Sequence, residues 1–359
     1  MNTSLNGLSH EARWAEVLAQ LGRLELLSTE QIHWAMGTIL AGGASTEEIK
    51  AFLLAYKAKG ETASEISAMI EQMFAFAAPI SIPDRSLDIV GTGGDGANTI
   101  NISTTACIVT AAAGTRVVKH GNRAATSLAG SADLLEELGV VITLDGPQVE
   151  ECVRRIGIGF CFAPKFHPAM RFAAPARKEL GTPTVFNILG PLSNPAKSKV
   201  VAIGVASERM LPIMAKVLAD RGCEGFLFRG DDGLDEISIS TTSTVIQIND
   251  GKMRTETFDP RNIGINFSPI SEIVGGDPKF NADVLHSIFD GEQSARRDAV
   301  LLNAAASVAA FKADFSLSVE QQFANGLVRA AQAIDSGAAK KLLKNWIELS
   351  QQLAATPAE

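Results

Sequence analysis

The stretch L-D-I-V-G-T-G-G-D-G-A-N-T-I-N-I-S-T-T-A-C-I-V-T-A-A-A-G-T-R-V-V-K-H-G-N-R, residues 87–123, decides the fold. Leu87, Ile89 and Val90 make an apolar run of strand length, and Gly91, Gly93, Gly94 and Gly96 turn the chain with backbone amides exposed. Asn101, Ser103 and Thr104 open a helix that continues through residues 106–113 to Gly114. Val117 and Val118 then begin a second strand, which ends on Lys119, His120, Asn122 and Arg123. Free amides at a strand end and a helix N-terminus together suit a phosphate. Gly91, Gly93 and Gly96 also satisfy G-x-G-x-x-G, but a dinucleotide site needs an acidic residue about 20 positions on, at the end of the second strand. Here that end is Lys119-His120-Gly121-Asn122-Arg123, which suits more phosphate and not a ribose diol. The loop also lacks G-x-x-x-x-G-K-[ST], which excludes a P-loop nucleotidase. The bland alternative is a structural turn beside a lysine that reaches for solvent.

Strands alternate with helices from residue 85 onward, the pattern of a largely parallel sheet covered on both faces. Ser131 caps a helix over 132–138, Pro147 sits in the first turn of a helix ending at Ile156, and residues 159–163 return as a strand. Residues 200–205 and 225–228 are further strands, and 244–248 with 252–257 form a hairpin across Asn249-Asp250-Gly251. Residues 280–355 are helical. Residues 164–195 break this rhythm with prolines at 164, 168, 175, 183, 191 and 195. A long irregular excursion of this kind is more often functional than idle. Upstream, residues 1–80 read as helices that begin at three capping boxes, Ser28-x-x-Gln31, Ser45-x-x-Glu48 and Thr62-x-x-Glu65. The expected fold is therefore a small N-terminal helical domain (1–80, a packing or subunit-contact domain) plus a large α/β domain (85–359) with a mostly parallel central sheet and a hinge-like excursion near 164–195.

Composition narrows the function. The 359 residues carry a net charge of −8 with no long basic block, which speaks against nucleic acid as a partner. Apolar stretches are interrupted well short of a membrane span, and the polar, acidic start does not read as an export signal. Cys107, Cys152, Cys161 and Cys223 are far apart among apolar neighbours, so they read as buried free thiols of a reducing cytoplasm.

Asp231, Asp232, Asp235 and Glu236 put four carboxylates within six residues at a strand end. They read either as a solvated turn or as a Mg2+ site of the kind that shares its ion with substrate phosphates, and the phosphate loop favours the metal. Asp95 is a third acid for the metal or ribose side. Arg177 is either a surface ion-pair partner or a planar fork for a carboxylate. His120 and His167 are acid/base candidates or satisfied structural histidines. Nothing resembles a nucleophile elbow, a catalytic triad or a zincin motif.

Gly91-Thr92-Gly93-Gly94-Asp95, Asn101-Ile102-Ser103-Thr104, Lys119-His120-Gly121-Asn122-Arg123, Ser131-Ala132-Asp133, the run Phe186-Asn187-Ile188-Leu189-Gly190-Pro191-Leu192-Ser193-Asn194-Pro195 and Asp235-Glu236, in that order, closely resemble the anthranilate phosphoribosyltransferase family. The resemblance implies transfer of the 5-phosphoribosyl group from phosphoribosyl pyrophosphate to the amine of anthranilate, a step of tryptophan biosynthesis, in a cytoplasmic homodimer. It implies phosphoribosyl pyrophosphate contacts from Gly91, Gly94, Asp95, Thr99, Asn101, Ile102, Ser103, Thr104, Lys119, His120, Gly121, Asn122, Arg123, Ala124, Ala125, Thr126, Ser127 and Ser131. Ser103, Asp235 and Glu236 would hold Mg2+. Gly91, Asn122 and Arg177 would contact anthranilate, with His120 and His167 along its path. In Gly181-Thr182-Pro183-Thr184 the proline stands where many relatives have an arginine, so the resemblance does not extend to a secondary anthranilate contact from that position. Two rivals share the fold. A pyrimidine nucleoside phosphorylase would not need the acidic pair, and a non-catalytic nucleic-acid-binding relative would be basic.

Overall fold

Ser28 and Ser45 begin helices as their capping boxes predict. Four helices open the chain: α1 (His10–Gly22), α2 (Thr29–Leu40), α3 (Thr46–Lys59) and α4 (Ala63–Ala75). Ser28 Oγ accepts from the Gln31 amide at 3.2 Å while Gln31 Oε1 accepts from the Ser28 amide at 2.8 Å, and Ser45 with Glu48 repeats the exchange. The third box does not form: Thr62 makes no side-chain cap to α4. Glu65 turns inward instead, accepting from the Leu27 amide at 2.9 Å and from Thr62 Oγ1 at 2.7 Å, and pairs with the buried Lys59. A buried ammonium without a carboxylate costs several kcal/mol, against about 1 kcal/mol for a cap, so the ion pair wins. This is a computed structural model, and it describes Leu5, residues 7–124 and residues 127–355.

Seven strands form one sheet in the order β3-β2-β1-β4-β5-β6-β7: β1 (Leu87–Gly91), β2 (Val117–Gly121), β3 (Ile158–Phe162), β4 (Val200–Gly204), β5 (Glu224–Gly230), β6 (Ser243–Asn249) and β7 (Lys252–Phe258). The first five in that order are parallel; β6 and β7 are antiparallel. Helix α5 (Ile102–Ala112) joins β1 to β2, while α6 (Ser131–Glu137) and α7 (Gly146–Ile156) join β2 to β3. β3 and β4 are buried at every position, as strands covered on both faces must be, whereas β7 alternates and closes the edge. Asp250 and Gly251 both take positive φ (51° and 71°), the two-residue turn that matches strand twist.

The chain falls into two units, Pro79–Ala163 with Asn194–Glu359, which contains the sheet, and Met1–Ala78 with Pro164–Ser193. The excursion thus belongs with the four N-terminal helices and not with the α/β domain in which its sequence position places it. It contains α8 (Ala163–Phe166), a 3₁₀ turn at Pro168–Phe172, α9 (Ala174–Leu180) and α10 (Phe186–Leu192). Ala78 N donates to Phe166 O at 2.7 Å, Lys57 Nζ to Pro183 O at 3.1 Å, and Lys50 pairs with Glu179 at 2.9 Å. In the other unit α11 (Met210–Asp220) links β4 to β5, and α12 (Pro278–Phe289), α13 (Ala295–Ala310), α14 (Val319–Asp335) and α15 (Ala338–Ala355) finish the fold. The fully buried Ala304, Ala305 and Ala306 let α13 pack closely on α5 and α14. No described helix is long and apolar enough to cross a membrane.

Candidate active site

β1 has β2 on one side and β4 on the other, so the connections leaving their C-terminal ends run in opposite directions. Open α/β sheets bind ligands in the crevice at such a switch point. Gly91 ends β1 beside Gly204, which ends β4. Thr92 N donates to Gly204 O at 3.0 Å, and Thr92 Oγ1 accepts from the Ala206 amide at 3.1 Å. Beyond them the loop runs left-handed at Gly93, Gly94, Gly96 and also at Asn98 (φ 68°, 84°, 74° and 50°), a conformation that glycine adopts freely. Its far end is docked: Ile100 N donates to Ile273 O and Gly275 N to Asn98 O, at 2.9 and 2.8 Å.

Asp235 sits on this loop. Its Oδ2 accepts from the Gly93 amide at 2.6 Å. A Cβ on Gly91 would strike that carboxylate and one on Gly204 would strike the Asp235 carbonyl, so both strand ends must be glycine for the acid to approach. The Ser103 amide at the start of α5 lies near Glu236 and favours its charged form. Asp231 and Asp232 separate from the pair: Asp232 accepts from Ser238 Oγ at 2.6 Å and from Ser240, and Asp231 accepts from Thr242 and Thr244. Of the four carboxylates only Asp235 and Glu236 are buried, Asp235 on the glycine loop and Glu236 near the start of α5.

Burial, reinforced by the neighbouring Asp95 carboxyl that hydrogen-bonds to it, pushes Asp235 up to about 7. Burial and the charge of Asp235 likewise push Glu236 well above the carboxylate range. These are hard oxygen donors crowded without enough positive charge, a set that fits a divalent cation. Among the described residues no three His, Cys, Asp or Glu side chains form a metal cage. A hard cation held by one or two carboxylates and completed by substrate oxygens is the type that fits here.

The sign of the pH effect follows. A carboxyl raised in the folded state keeps a proton that the unfolded chain releases, so its stabilisation is lost as pH rises from about 4 through about 7. The metal-free protein is expected to melt a few degrees higher at pH 5.5 than at pH 8. Asp235→Asn with Glu236→Gln should flatten most of that difference, leaving the part due to Asp88, which burial pushes up to about 6. Equal slopes in the two proteins, measured by calorimetry, would contradict these shifts.

Lys119 is fully buried, with Nζ donating to Ile89 O at 2.5 Å and to Ser103 Oγ at 3.3 Å. Ser103 therefore lies between the lysine and Glu236. Asn101 spends its amide on structure, donating to Ala129 O at 2.9 Å and accepting from Asn281 at 2.8 Å. Ser131 is the first residue of α6 and not its cap; Gly130 precedes the helix, held by Asp133. Ser131 Oγ accepts from Thr104 Oγ1 at 3.0 Å, which joins the starts of α5 and α6. The main chain of His120 meets Asp88, and Asn122 is exposed with its carbonyl on the Ala132 amide. Arg123 reaches away to Asp133 and Glu136, at 2.9 and 2.8 Å. Ala124 N is held by Asp133 and Ser127 is exposed; Ala125 and Thr126 lie outside the described residues. Sequence reading missed Gly204, whose only signal was a glycine at a strand end.

His167 and Arg177 lie in the helical unit. His167 is buried, its Nε2 donating to Ser193 O at 2.8 Å with the Met73 backbone also engaged, and burial lowers its pKa, so it is neutral and structural in setting. Arg177, on α9, lies 5.7 Å from the Phe186 ring centroid, and burial lowers its pKa. Among the described residues no carboxylate pairs with it, so the surface ion pair does not exist.

The chain matches the helical bundle domain of the glycosyl transferase family over residues 15–77 and that family's a/b domain over residues 84–340. The anthranilate phosphoribosyltransferase of Rhodococcus jostii (strain RHA1) is 50% identical over 351 residues, 98% of this chain and 97% of that one. The crystal structure of the Thermus thermophilus enzyme superposes with a TM-score of 0.86 at 37% identity, covering 93% of this chain and 99% of that one. The Saccharomyces cerevisiae enzyme in complex with phosphoribosyl pyrophosphate and Mg gives a TM-score of 0.86 at 29% identity, covering 95% and 99%. With both domains matched in order and half of all positions identical, the chain belongs to the anthranilate phosphoribosyltransferase family.

Proposed function

We propose that this protein transfers the 5-phosphoribosyl group of phosphoribosyl pyrophosphate to the amine of anthranilate. The observation that carries the reading is Asp235 seated on the Gly93 amide while Glu236 and Lys119 meet at Ser103. Loop amides at 91–95, Thr99, residues 101–104, the 119–127 segment and Ser131 bind the phosphoribosyl and diphosphate groups. Ser103, Asp235 and Glu236 would hold Mg2+, which would supply positive charge beside the departing diphosphate. The C1–O bond breaks as the C1–N bond forms, so the sugar passes through a cationic state and pyrophosphate leaves with the bonding electrons. Lys119 and the loop amides meet that growing negative charge from fixed positions, which requires no reorganisation during the step. An aromatic amine attacks as the neutral base and then sheds one proton from a strongly acidic nitrogen, so no buried base is needed. Gly91, Asn122 and Arg177 bind anthranilate, with His120 along its path; His167 orders the segment that presents Arg177.

Loss of anthranilate fluorescence when protein, Mg2+, phosphoribosyl pyrophosphate and anthranilate are mixed tests the reading, and no loss in any of several preparations would refute it. The four buried free cysteines suit a reducing cytoplasm. Subunits pair through the helical unit, where Leu24, Leu26 and Leu54 are exposed (64%, 55% and 51%). Light scattering should give twice the chain mass, and Leu54→Glu should halve it.

A further inference from the structure

β1 and β2 are neighbours, yet only their first residues pair in register, Leu87 with Val117. All five residues of β1 pair with β4, and all five of β2 pair with β3. Past Leu87 and Val117 the two strands stay adjacent but pair no further in register, inside a sheet that is otherwise continuous. Backbone groups that lose a ladder partner in a core must find another, because an unpaired one costs about 1–3 kcal/mol.

Three side chains supply the partners. Asp88 Oδ1 accepts from the His120 amide at 3.1 Å. Asn194 Nδ2 donates to Val118 O at 2.8 Å. Lys119 Nζ donates to Ile89 O at 2.5 Å. The Asn194 side chain also favours the charged form of Asp88, so two of the three wedges interact. Both Asp88 and Lys119 are almost completely buried (2% and 0% exposed), and each lies in the other's field. The lysine ammonium thus lies between the strand ends, on the Ile89 carbonyl and beside Ser103 at the start of α5, while Asp88 occupies the His120 amide.

We propose that Asp88, seated by Asn194, is a positioning residue: it ties the end of β2 to β1 through the His120 amide and so fixes where Lys119 presents its ammonium to the diphosphate. Asp88 does not touch substrate and acts through Lys119. Its own sequence signal is a lone acid inside an apolar strand, which otherwise would be a costly choice. The inference rests on the role given to Lys119 above.

Asp88→Asn preserves shape and keeps an oxygen for the His120 amide. It removes the charge facing Lys119 and sets one amide donor against the Asn194 donor. The experiment is titration calorimetry of phosphoribosyl pyrophosphate with Mg2+ onto the full chain carrying Asp88→Asn, Lys119→Ala, or both. Asp88→Asn alone should weaken binding about tenfold, and less than about twofold once Lys119→Ala is present, the non-additivity of residues acting as one. The anthranilate KM of Asp88→Asn should stay unchanged. Full additivity, with Lys119→Ala itself weakening binding, would overturn this inference alone. Native binding by Lys119→Ala would overturn the role of the lysine and this inference with it. Should Asp88→Asn not fold, Asn194→Ala replaces it in the same cycle with the same expected and overturning results.

Discussion

Replacing Asp235 by Asn and Glu236 by Gln together is expected to lower kcat/KM for phosphoribosyl pyrophosphate about a thousandfold and to raise the Mg2+ needed for half-maximal rate. The substitutions leave the local hydrogen bonds possible. An asparagine oxygen still accepts from the Gly93 amide, and glutamine keeps an oxygen near the Ser103 amide. What disappears is anionic oxygen, and with it the attraction for a hard cation and for the charge that cation neutralises. Removing one preorganised electrostatic group costs roughly 10²–10³ in rate, and two groups acting on the same ion do not multiply. The variant should not melt earlier, because two buried charges have been removed from a site where burial opposes them. A Mg2+ titration and rate unchanged from the parent would return the pair to the status of an acidic turn.

The local part of this site was legible in the sequence, because each signal in residues 87–123 concerns neighbours. Period, turn residues and cap residues placed β1, α5 and β2 within a residue or two, and the basic end of β2 correctly argued against a dinucleotide. The seat of Asp235 on Gly93 joins residues 142 positions apart and depends on β4 lying beside β1, which strand spacing cannot reveal. Gly204 shows its purpose only once that neighbour is known. The same limit explains the excursion at 164–193. Its prolines signalled irregularity, but its partners are helices more than a hundred residues earlier, as in the Lys50–Glu179 and Lys57–Pro183 contacts. Thr62 and Glu65 failed for a different reason: the capping pattern was present, and a buried lysine competed successfully for the same carboxylate. Arg123 shows the converse, a cation at the right edge whose charge two acids on α6 had already claimed.

Arg177→Ala is expected to raise the anthranilate KM ten- to a hundredfold while the phosphoribosyl pyrophosphate KM moves less than about twofold. Anthranilate offers a planar carboxylate, and a guanidinium meets it with two parallel hydrogen bonds where an ammonium offers a point charge. The side chain is half-buried, lies against the Phe186 ring, and has no carboxylate partner among the described residues. A partly desolvated cation left without an anion gains more from a ligand carboxylate than an exposed one would, since water competes less. A charge-assisted bond contributes roughly 1.5–3 kcal/mol, which is the stated range of affinity. Arg177→Lys should recover part of the loss, because it restores the charge without the fork. Steady-state kinetics against each substrate in turn, with a thermal melt as control, separates recognition from scaffolding. A structural arginine would lower the melting temperature or shift both KM values together, and either result would remove Arg177 from the anthranilate site.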